Sequence, residues 1–152
     1  MYLPPVRGRN LDREIRSYPA DFEQALNLLF IAFQRWQQAS IDSWLSCAET
    51  LEQSRDDLAY YEFPTIQSTN LILRTFINEG MRAGIPDPKA RDRTVTLYLD
   101  KPALRKALDM PDEDQIYVLL ASKTGEVLWR DRGKHSPEKE ASLMAAIKEA
   151  GG

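Results

Sequence analysis

Residues 28–40 read LLFIAFQRWQQAS, and this stretch decides how the rest of the chain is interpreted. Its first six residues are continuously apolar, which is typical of a strand that is buried on both faces of a parallel sheet. From Ser40 to about Gln53 the apolar residues recur at helical spacing. They are Ile41, Trp44, Leu45, Ala48 and Leu51. A strand that passes through Trp36 into a helix predicts the first half of a β-α-β unit.

A second strand completes the predicted unit. Residues 58–63, LAYYEF, have strand character, and we expect the strand to end at Pro64 because proline has no N–H for a sheet ladder. A strand, a helix of this length and another strand form a right-handed β-α-β unit with parallel strands. The central part of the chain therefore predicts the α/β class.

A hairpin precedes this unit and a second helix follows it. Residues 10–22, NLDREIRSYPADF, predict a short hairpin within an N-terminal segment that extends to residue 27. Ser68 or Thr69 can cap a helix that continues to about Ala83. The proline-rich segment 83–93, AGIPDPKARDR, is the loop that we expect to be most mobile.

The C-terminal part predicts a strand, a short helix, a hairpin and a last helix. Residues 94–99, TVTLYL, alternate as a strand, and Asp100 can cap the helix that follows. Residues 116–130, IYVLLASKTGEVLWR, predict a hairpin in which Gly125 adopts the left-handed conformation. The last helix covers residues 137–149. Its predicted buried side consists of Leu143, Met144 and Ile147.

Composition excludes several classes of function. A chain of 152 residues with 43% hydrophobic and 28% charged residues predicts one folded domain over residues 1–152. The net charge of -3 does not favour a nucleic acid or an anionic membrane as the partner. The sequence has no apolar run of the roughly 20 residues that span a bilayer, and its N-terminus lacks the core of a signal peptide. We therefore expect a cytoplasmic protein without membrane insertion.

Cysteine and histidine are scarce. Cys47 is the single cysteine and His135 the single histidine, which excludes an internal disulfide and a cysteine-rich metal site. We expect neither a metal nor a cofactor. The charged segment 129–135, WRDRGKH, is typical of an edge strand that is protected by its charges, with an interaction rim as the alternative.

The order of these elements resembles the thioredoxin-like superfamily in its peroxiredoxin-type (AhpC/TSA-like) arrangement. The resemblance is strongest in LLFIAFQRW, LYLDKPALRKALDM and YVLLASKTGEVLWRDRG. It implies a central mixed sheet with helices on both faces and a C-terminal β-hairpin plus helix. GEVLWRDRGKHSPE and LRKALDMPDE are also similar to mitochondrial ATP-synthase assembly factors that contain a thioredoxin-like domain.

The resemblance also implies a degenerate redox site. In the thioredoxin pattern the tryptophan precedes Cys-x-x-Cys, and the two cysteine positions are Gln37 and Ser40 here. In the peroxiredoxin pattern the cysteine position is Ile41. The cis-proline that usually faces the redox pair is also absent, because Pro111 lies a few residues too early.

The same turn is the candidate binding site. Gln37, Gln38 and Ser40 would present amide and hydroxyl groups beside the free N–H groups of a helix N-terminus, where a carboxylate or a peptide carbonyl can bind. Trp36 would border this site. The alternatives are that Ser40 only caps the helix, that the glutamines are solvated, and that Trp36 belongs to the core.

Two classes of function follow. We favour a redox-inactive protein that binds a protein, peptide or small ligand around Trp36 to Ser40, in chaperone-like or assembly work. The alternative is a thiol-dependent oxidoreductase or peroxidase that acts through Cys47, although this residue lies two turns beyond the helix N-terminus. A homodimer is also expected, formed by the helix over residues 68–83 or by an exposed sheet edge.

Overall fold

The structure is a computed structural model, and it describes residues 1–67 and 93–151. In these residues it has seven β-strands, a 3-10 turn and three α-helices. The strands are β1 Val6–Asn10, β2 Ile15–Tyr18, β3 Leu26–Ala32, β4 Leu58–Gln67, β5 Val95–Leu99, β6 Tyr117–Ser122 and β7 Val127–Arg132. The 3-10 turn is Arg35–Gln37, and the helices are α1 Gln38–Ser54, α2 Lys101–Ala107 and α3 Pro137–Gly151.

The strands form one mixed sheet in the order β2-β1-β5-β4-β3-β6-β7. β3, β4 and β5 are parallel, whereas β6 pairs with β3 in the antiparallel direction. Every residue of β3 is buried, as its continuous apolar run predicts for an inner strand. The predicted β-α-β unit is β3-α1-β4, and the predicted mixed sheet of an α/β fold is confirmed.

Helices cover both faces of the sheet. On one face, α1 and α3 pack on the sheet through buried residues that include Trp44, Leu51 and Leu143. On the other face, Leu104 and Leu108 at α2 belong to a core that also contains side chains from β1 and β5. Because neighbouring residues of a strand point to opposite faces, one buried strand can supply both cores.

The strand β4 extends beyond the predicted end at Pro64, so that prediction is wrong. β4 continues to Gln67. Pro64 stands opposite Ala32, the last residue of β3, and the ladder to β3 ends there. The following residues pair with β5 instead, beginning with Thr65 opposite Leu97. The proline therefore occupies a place where the pairing changes from one neighbour to the other.

Two smaller predictions about the helices are correct only in part. Asp100 is the N-cap residue of α2, but its side chain makes no capping hydrogen bond. Instead, the backbone N–H of Lys101 donates to the amide oxygen of Gln67 over 3.0 Å. On α3, Met144 is 45% exposed, because the buried side consists of Leu143 and Ile147.

The hairpin β6-β7 and the start of α3 agree with the sequence. Gly125 has a φ of 90°, the left-handed conformation that the turn was expected to require. The backbone N–H of Lys139 donates to the hydroxyl of Ser136, which caps α3. The hairpin near the N-terminus is β1-β2, with Val6 opposite Tyr18, so it begins before the predicted residues 10–22.

Both edge strands have backbone groups that are occupied by local contacts. On β2, the N–H of Ser17 donates to the carboxylate of Asp21, and the carbonyl of Ser17 accepts from the N–H of Asp21. On β7, the N–H of Arg132 donates to the carboxylate of Asp131, and its carbonyl accepts from the ammonium of Lys139. From the predicted charged segment 129–135, Asp131 therefore occupies an edge N–H group of β7, whereas Lys139 lies outside that segment, on α3.

Two predictions fall outside the described residues. They are the helix over residues 68–83 and the mobile loop over residues 83–93, of which residue 93 alone is described. The homodimer that was expected to use this helix or a sheet edge stays a prediction.

Candidate functional site

The candidate site lies where β3 ends and α1 begins. After Phe33 the chain forms the 3-10 turn Arg35–Gln37 and continues directly into α1 at Gln38. Ser40 therefore lies inside the first turn of the helix. The alternative that Ser40 caps this helix is wrong, because the N-cap residue is Gln37. Ser40 is half-buried, and its carbonyl accepts a hydrogen bond from the hydroxyl of Ser43.

Gln37 is turned into the protein and is 0% exposed. Its amide oxygen accepts hydrogen bonds from the backbone N–H groups of Phe33 at 2.9 Å and Gln34 at 3.2 Å. Its amide nitrogen donates to the backbone carbonyl of Glu113 at 2.6 Å. The residue at the first redox position of the thioredoxin pattern thus joins the turn to the loop that precedes β6.

The side chain of Glu113 adds further bonds between these segments. Its carboxylate accepts from the amide of Gln34 at 2.9 Å, contacts the ammonium of Lys101 at 2.9 Å and lies 3.4 Å from Nε of Arg105. Lys101 also donates to the carbonyl of Phe33. Hydrogen bonds to charged groups are stronger than neutral ones, so this network holds the turn firmly against α2.

Trp36 and Trp44 have opposite environments. Trp36 is 66% exposed, as its place at the border of the site predicts. Trp44 is 0% exposed and donates from its indole N–H to the carbonyl of Gly133 at 3.0 Å. Trp44 also packs edge-on against His135, with ring centroids 5.2 Å apart. Of these two tryptophans, Trp36 exposes its ring to solvent and Trp44 does not.

Gln38 is exposed and bridges two acidic residues. Its amide nitrogen donates to Asp42 at 3.0 Å and to Glu62 at 3.1 Å. Glu62 is buried in β4, and this burial raises the pKa of its carboxyl group. The hydrogen bond from Gln38 lowers that pKa, whereas the charge of Asp42 raises it further. A buried acid beneath the helix N-terminus was not predicted from the sequence.

Cys47 is half-buried on α1 and lies against the core beneath α1 and α3. Burial raises the pKa of its thiol to about 12, and the adjacent carboxylate of Glu140 contributes to this rise. Glu140 also pairs with the imidazole of His135 at 2.8 Å, which lowers the pKa of the Glu140 carboxyl group. A thiol with this pKa is protonated at neutral pH, and the thiolate is the reactive form.

The Cys47 thiol is expected to react slowly in the folded protein. At pH 7.5 we expect its reaction with an aromatic disulfide reagent to be roughly a hundredfold slower than in the same chain unfolded in urea, where the thiol has its ordinary pKa. Glu140→Gln should accelerate the reaction of the folded protein, because it removes a negative charge beside the thiol. Equal rates in the folded and unfolded chains would contradict this expectation.

The described residues contain neither a cluster of metal-ligating side chains nor a membrane-spanning helix. Residues 1–67 and 93–151 contain no group of three or more histidine, cysteine, aspartate or glutamate side chains that could hold a metal ion. Within the same residues, no helix combines the length and the apolar character needed to cross a membrane.

The topology decides the fold. Three parallel strands are followed by an antiparallel hairpin and a last helix, and the turn after β3 faces the loop before β6. Solved structures share this arrangement over nearly the whole chain. The fold is thioredoxin-like.

Three similar structures illustrate this thioredoxin-like fold. BsSco, from the Sco family of cytochrome c oxidase assembly proteins, has a TM-score of 0.64 at 12% identity, with 98% of this chain and 92% of that chain covered. Arabidopsis thaliana ScoI with copper bound has a TM-score of 0.61 at 10% identity, covering 98% and 99%. The exposed lipoprotein thioredoxin Etrx1 of Streptococcus pneumoniae has a TM-score of 0.59 at 12% identity, covering 95% and 99%. No protein-family model and no curated protein sequence matches this chain.

The structure thus separates the four candidate binding residues of this thioredoxin-like chain. Trp36 and Gln38 lie on the surface, Ser40 is half-buried, and Gln37 lies in the interior. Ligand binding by these residues stays a prediction. Sequence reasoning missed Glu113, although the acidic segment DMPDED lies before a predicted strand and could have pointed to it.

Proposed function

We propose that this chain is a redox-inactive thioredoxin-like protein that binds a protein or peptide through the Trp36 surface. This surface consists of the exposed side chains of Gln34, Arg35, Trp36 and Gln38. Chaperone-like or assembly work is the form of this function that we favour. One structural neighbour, BsSco, is a member of a family of assembly proteins, which supports this form.

The exposure of Trp36 is the observation that carries the proposal. Leaving a large aromatic ring 66% exposed forgoes the stabilisation that its burial would provide. Tryptophan is enriched among the residues that dominate the binding energy of protein interfaces. The backbone of the turn that carries Trp36 is held by the hydrogen bonds of Gln37, so binding there costs little backbone entropy.

The contacts of the former redox positions support the absence of thiol chemistry. Gln37 and Ser40 carry no thiol, and the hydrogen-bonding atoms of Gln37 are used inside the protein. The raised pKa of Cys47 disfavours the alternative function as a thiol oxidoreductase or peroxidase. The proposal also covers three points that the sequence suggested. They are a peroxiredoxin-type arrangement, a likeness to ATP-synthase assembly factors, and a cytoplasmic location.

A peptide selection tests the proposed function. The folded protein would be immobilised and exposed to a library of random 12-residue peptides, with counter-selection against the Trp36→Ser variant. We expect the selected peptides to bind the unchanged protein at least about tenfold more tightly than Trp36→Ser, which corresponds to the loss of one interface anchor of roughly 1.4 kcal/mol.

Met144→Ser provides the matched control for this selection. Met144 is also an exposed apolar residue, but it lies on α3 and not on the turn after β3. The selected peptides should bind Met144→Ser as tightly as the unchanged protein. Peptides that bind all three proteins equally, or a library that yields no specific binder, would contradict the proposal.

A further inference from the structure

Trp36 and Gln37 are neighbours in one turn but occupy opposite environments. Gln37 is 0% exposed and Trp36 is 66% exposed. Both belong to the 3-10 turn Arg35–Gln37. A 3-10 helix has 3.0 residues per turn, so that successive side chains project about 120° apart. A turn that directs residue 37 into the protein therefore directs residue 36 away from it.

The amide of Gln37 fixes the orientation of this turn. It makes three hydrogen bonds, two as acceptor within the turn and one as donor to the loop before β6. All of its polar contacts are made to backbone groups of Phe33, Gln34 and Glu113, and the side chain is fully buried. Rotating the turn would break these bonds and leave backbone groups without partners in the interior, which costs about 1–3 kcal/mol for each group.

Two other bonds also hold this segment. The bond from Gln34 to the carboxylate of Glu113 is exposed, whereas the bond from Lys101 to the carbonyl of Phe33 is part-buried. Exposed hydrogen bonds compete with water and contribute less than buried ones. Gln37 makes three bonds from one fully buried amide, so we expect the orientation of the turn to depend most on this residue.

We propose that Gln37 is a positioning residue that holds the ring of Trp36 in solvent by anchoring the 3-10 turn to the carbonyl of Glu113. The importance of this orientation for a partner rests on the proposed function, whereas the orientation itself does not. A glutamine at the former redox position would thus serve the display of an adjacent aromatic side chain.

Fluorine NMR of the full chain labelled with 5-fluorotryptophan tests the proposal. The Trp36 resonance is assigned with Trp36→Phe, and its solvent exposure is measured as the line broadening caused by a soluble gadolinium chelate. In the unchanged protein, the chelate should broaden the Trp36 resonance strongly and the Trp44 resonance weakly. In Gln37→Met the new side chain has a similar volume but no amide. We expect this variant to reduce the broadening of the Trp36 resonance by about twofold or to split that resonance, because the turn then populates more than one orientation.

Thr50→Ala is the control, since it removes an exposed hydrogen bond from α1 without touching the turn. It should leave the broadening of Trp36 unchanged. Gln37→Glu keeps an acceptor for the N–H groups of Phe33 and Gln34, but it places a buried carboxylate against the carbonyl of Glu113, and it should reduce the broadening at least as much as Gln37→Met. Unchanged broadening of Trp36 in Gln37→Met, with the Trp44 resonance intact, would overturn the proposal.

Amide hydrogen exchange in the unchanged protein tests the same proposal without a variant. The N–H groups of Phe33 and Gln34 should exchange more slowly than that of Trp36, because both donate to the buried amide of Gln37. Exchange of all three at one rate would overturn the proposal even if Gln37→Met failed to fold.

The peptides obtained by selection distinguish failure of this inference from failure of the proposed function. Reduced exposure of Trp36 in Gln37→Met together with unchanged peptide binding would support the positioning role and contradict the proposed function. Peptide binding that depends on Trp36, together with unchanged exposure in Gln37→Met, would support the function and overturn the positioning role.

Discussion

Replacing Trp44 with alanine is expected to lower the free energy of unfolding by about 3–5 kcal/mol. The indole is 0% exposed, packs against Phe30 and Trp129, and donates to the carbonyl of Gly133. Its removal would leave a cavity between α1 and the sheet and a carbonyl without its donor. Urea denaturation followed by far-ultraviolet circular dichroism measures the change.

Trp36→Ala is the control, because it removes the same side chain from the exposed turn eight positions earlier in the sequence. We expect its free energy of unfolding to stay within about 0.5 kcal/mol of that of the unchanged protein. Equal destabilisation by both substitutions would mean that the two indoles are not buried differently, and it would contradict the described packing of α1.

Gly8→Ala is expected to destabilise the protein by about 3 kcal/mol or more, because the added methyl group meets backbone atoms that cannot move aside. A Cβ at position 8 would lie 2.1 Å from the carbonyl oxygen of Thr96 on β5. Gly8 stands opposite Leu97 in the ladder between β1 and β5, so relief of the clash would separate the N-terminal hairpin from the sheet. Thermal and urea unfolding measure the loss.

Gly151→Ala is the matched control for Gly8→Ala. At position 151 the added Cβ would meet only the end of the Arg55 side chain, at 3.0 Å, and that side chain can move. Alanine is also a better helix former than glycine, so we expect a change near zero or a slight stabilisation at the end of α3. A neutral Gly8→Ala would show that β1 does not approach β5 as closely as described.

Local patterns in the sequence predicted most elements of the fold correctly. The apolar run of β3 follows from burial on both faces, which the strand records in its own residues. The alternation of β5 predicted a strand correctly, although Thr96 on its polar face is buried as well as Val95 and Leu97. The end of β4 was predicted wrongly, because a strand can continue through a proline at position 64 only where the ladder to the neighbouring strand β3 ends. That information lies in another strand.

The candidate site was predicted in its place but not in its contacts. The apolar run followed by Trp36 located the turn, and the resemblance implied that Gln37 stands at the first cysteine position of the thioredoxin pattern. The inward orientation of Gln37 depends on the carbonyl of Glu113, which lies 76 positions away in the sequence. A backbone carbonyl has no signature in the amino-acid sequence, so no pattern around Gln37 could predict its partner.

The occupied edges of the sheet bear on how the protein behaves at high concentration. Fibril growth begins when an unpaired strand edge recruits a strand from another molecule. In the part of the chain described by the structure, Asp21 on one side and Asp131 with Lys139 on the other already occupy edge groups of the outermost strands. At these positions a strand from another molecule would have to displace a local contact before it could pair with the edge.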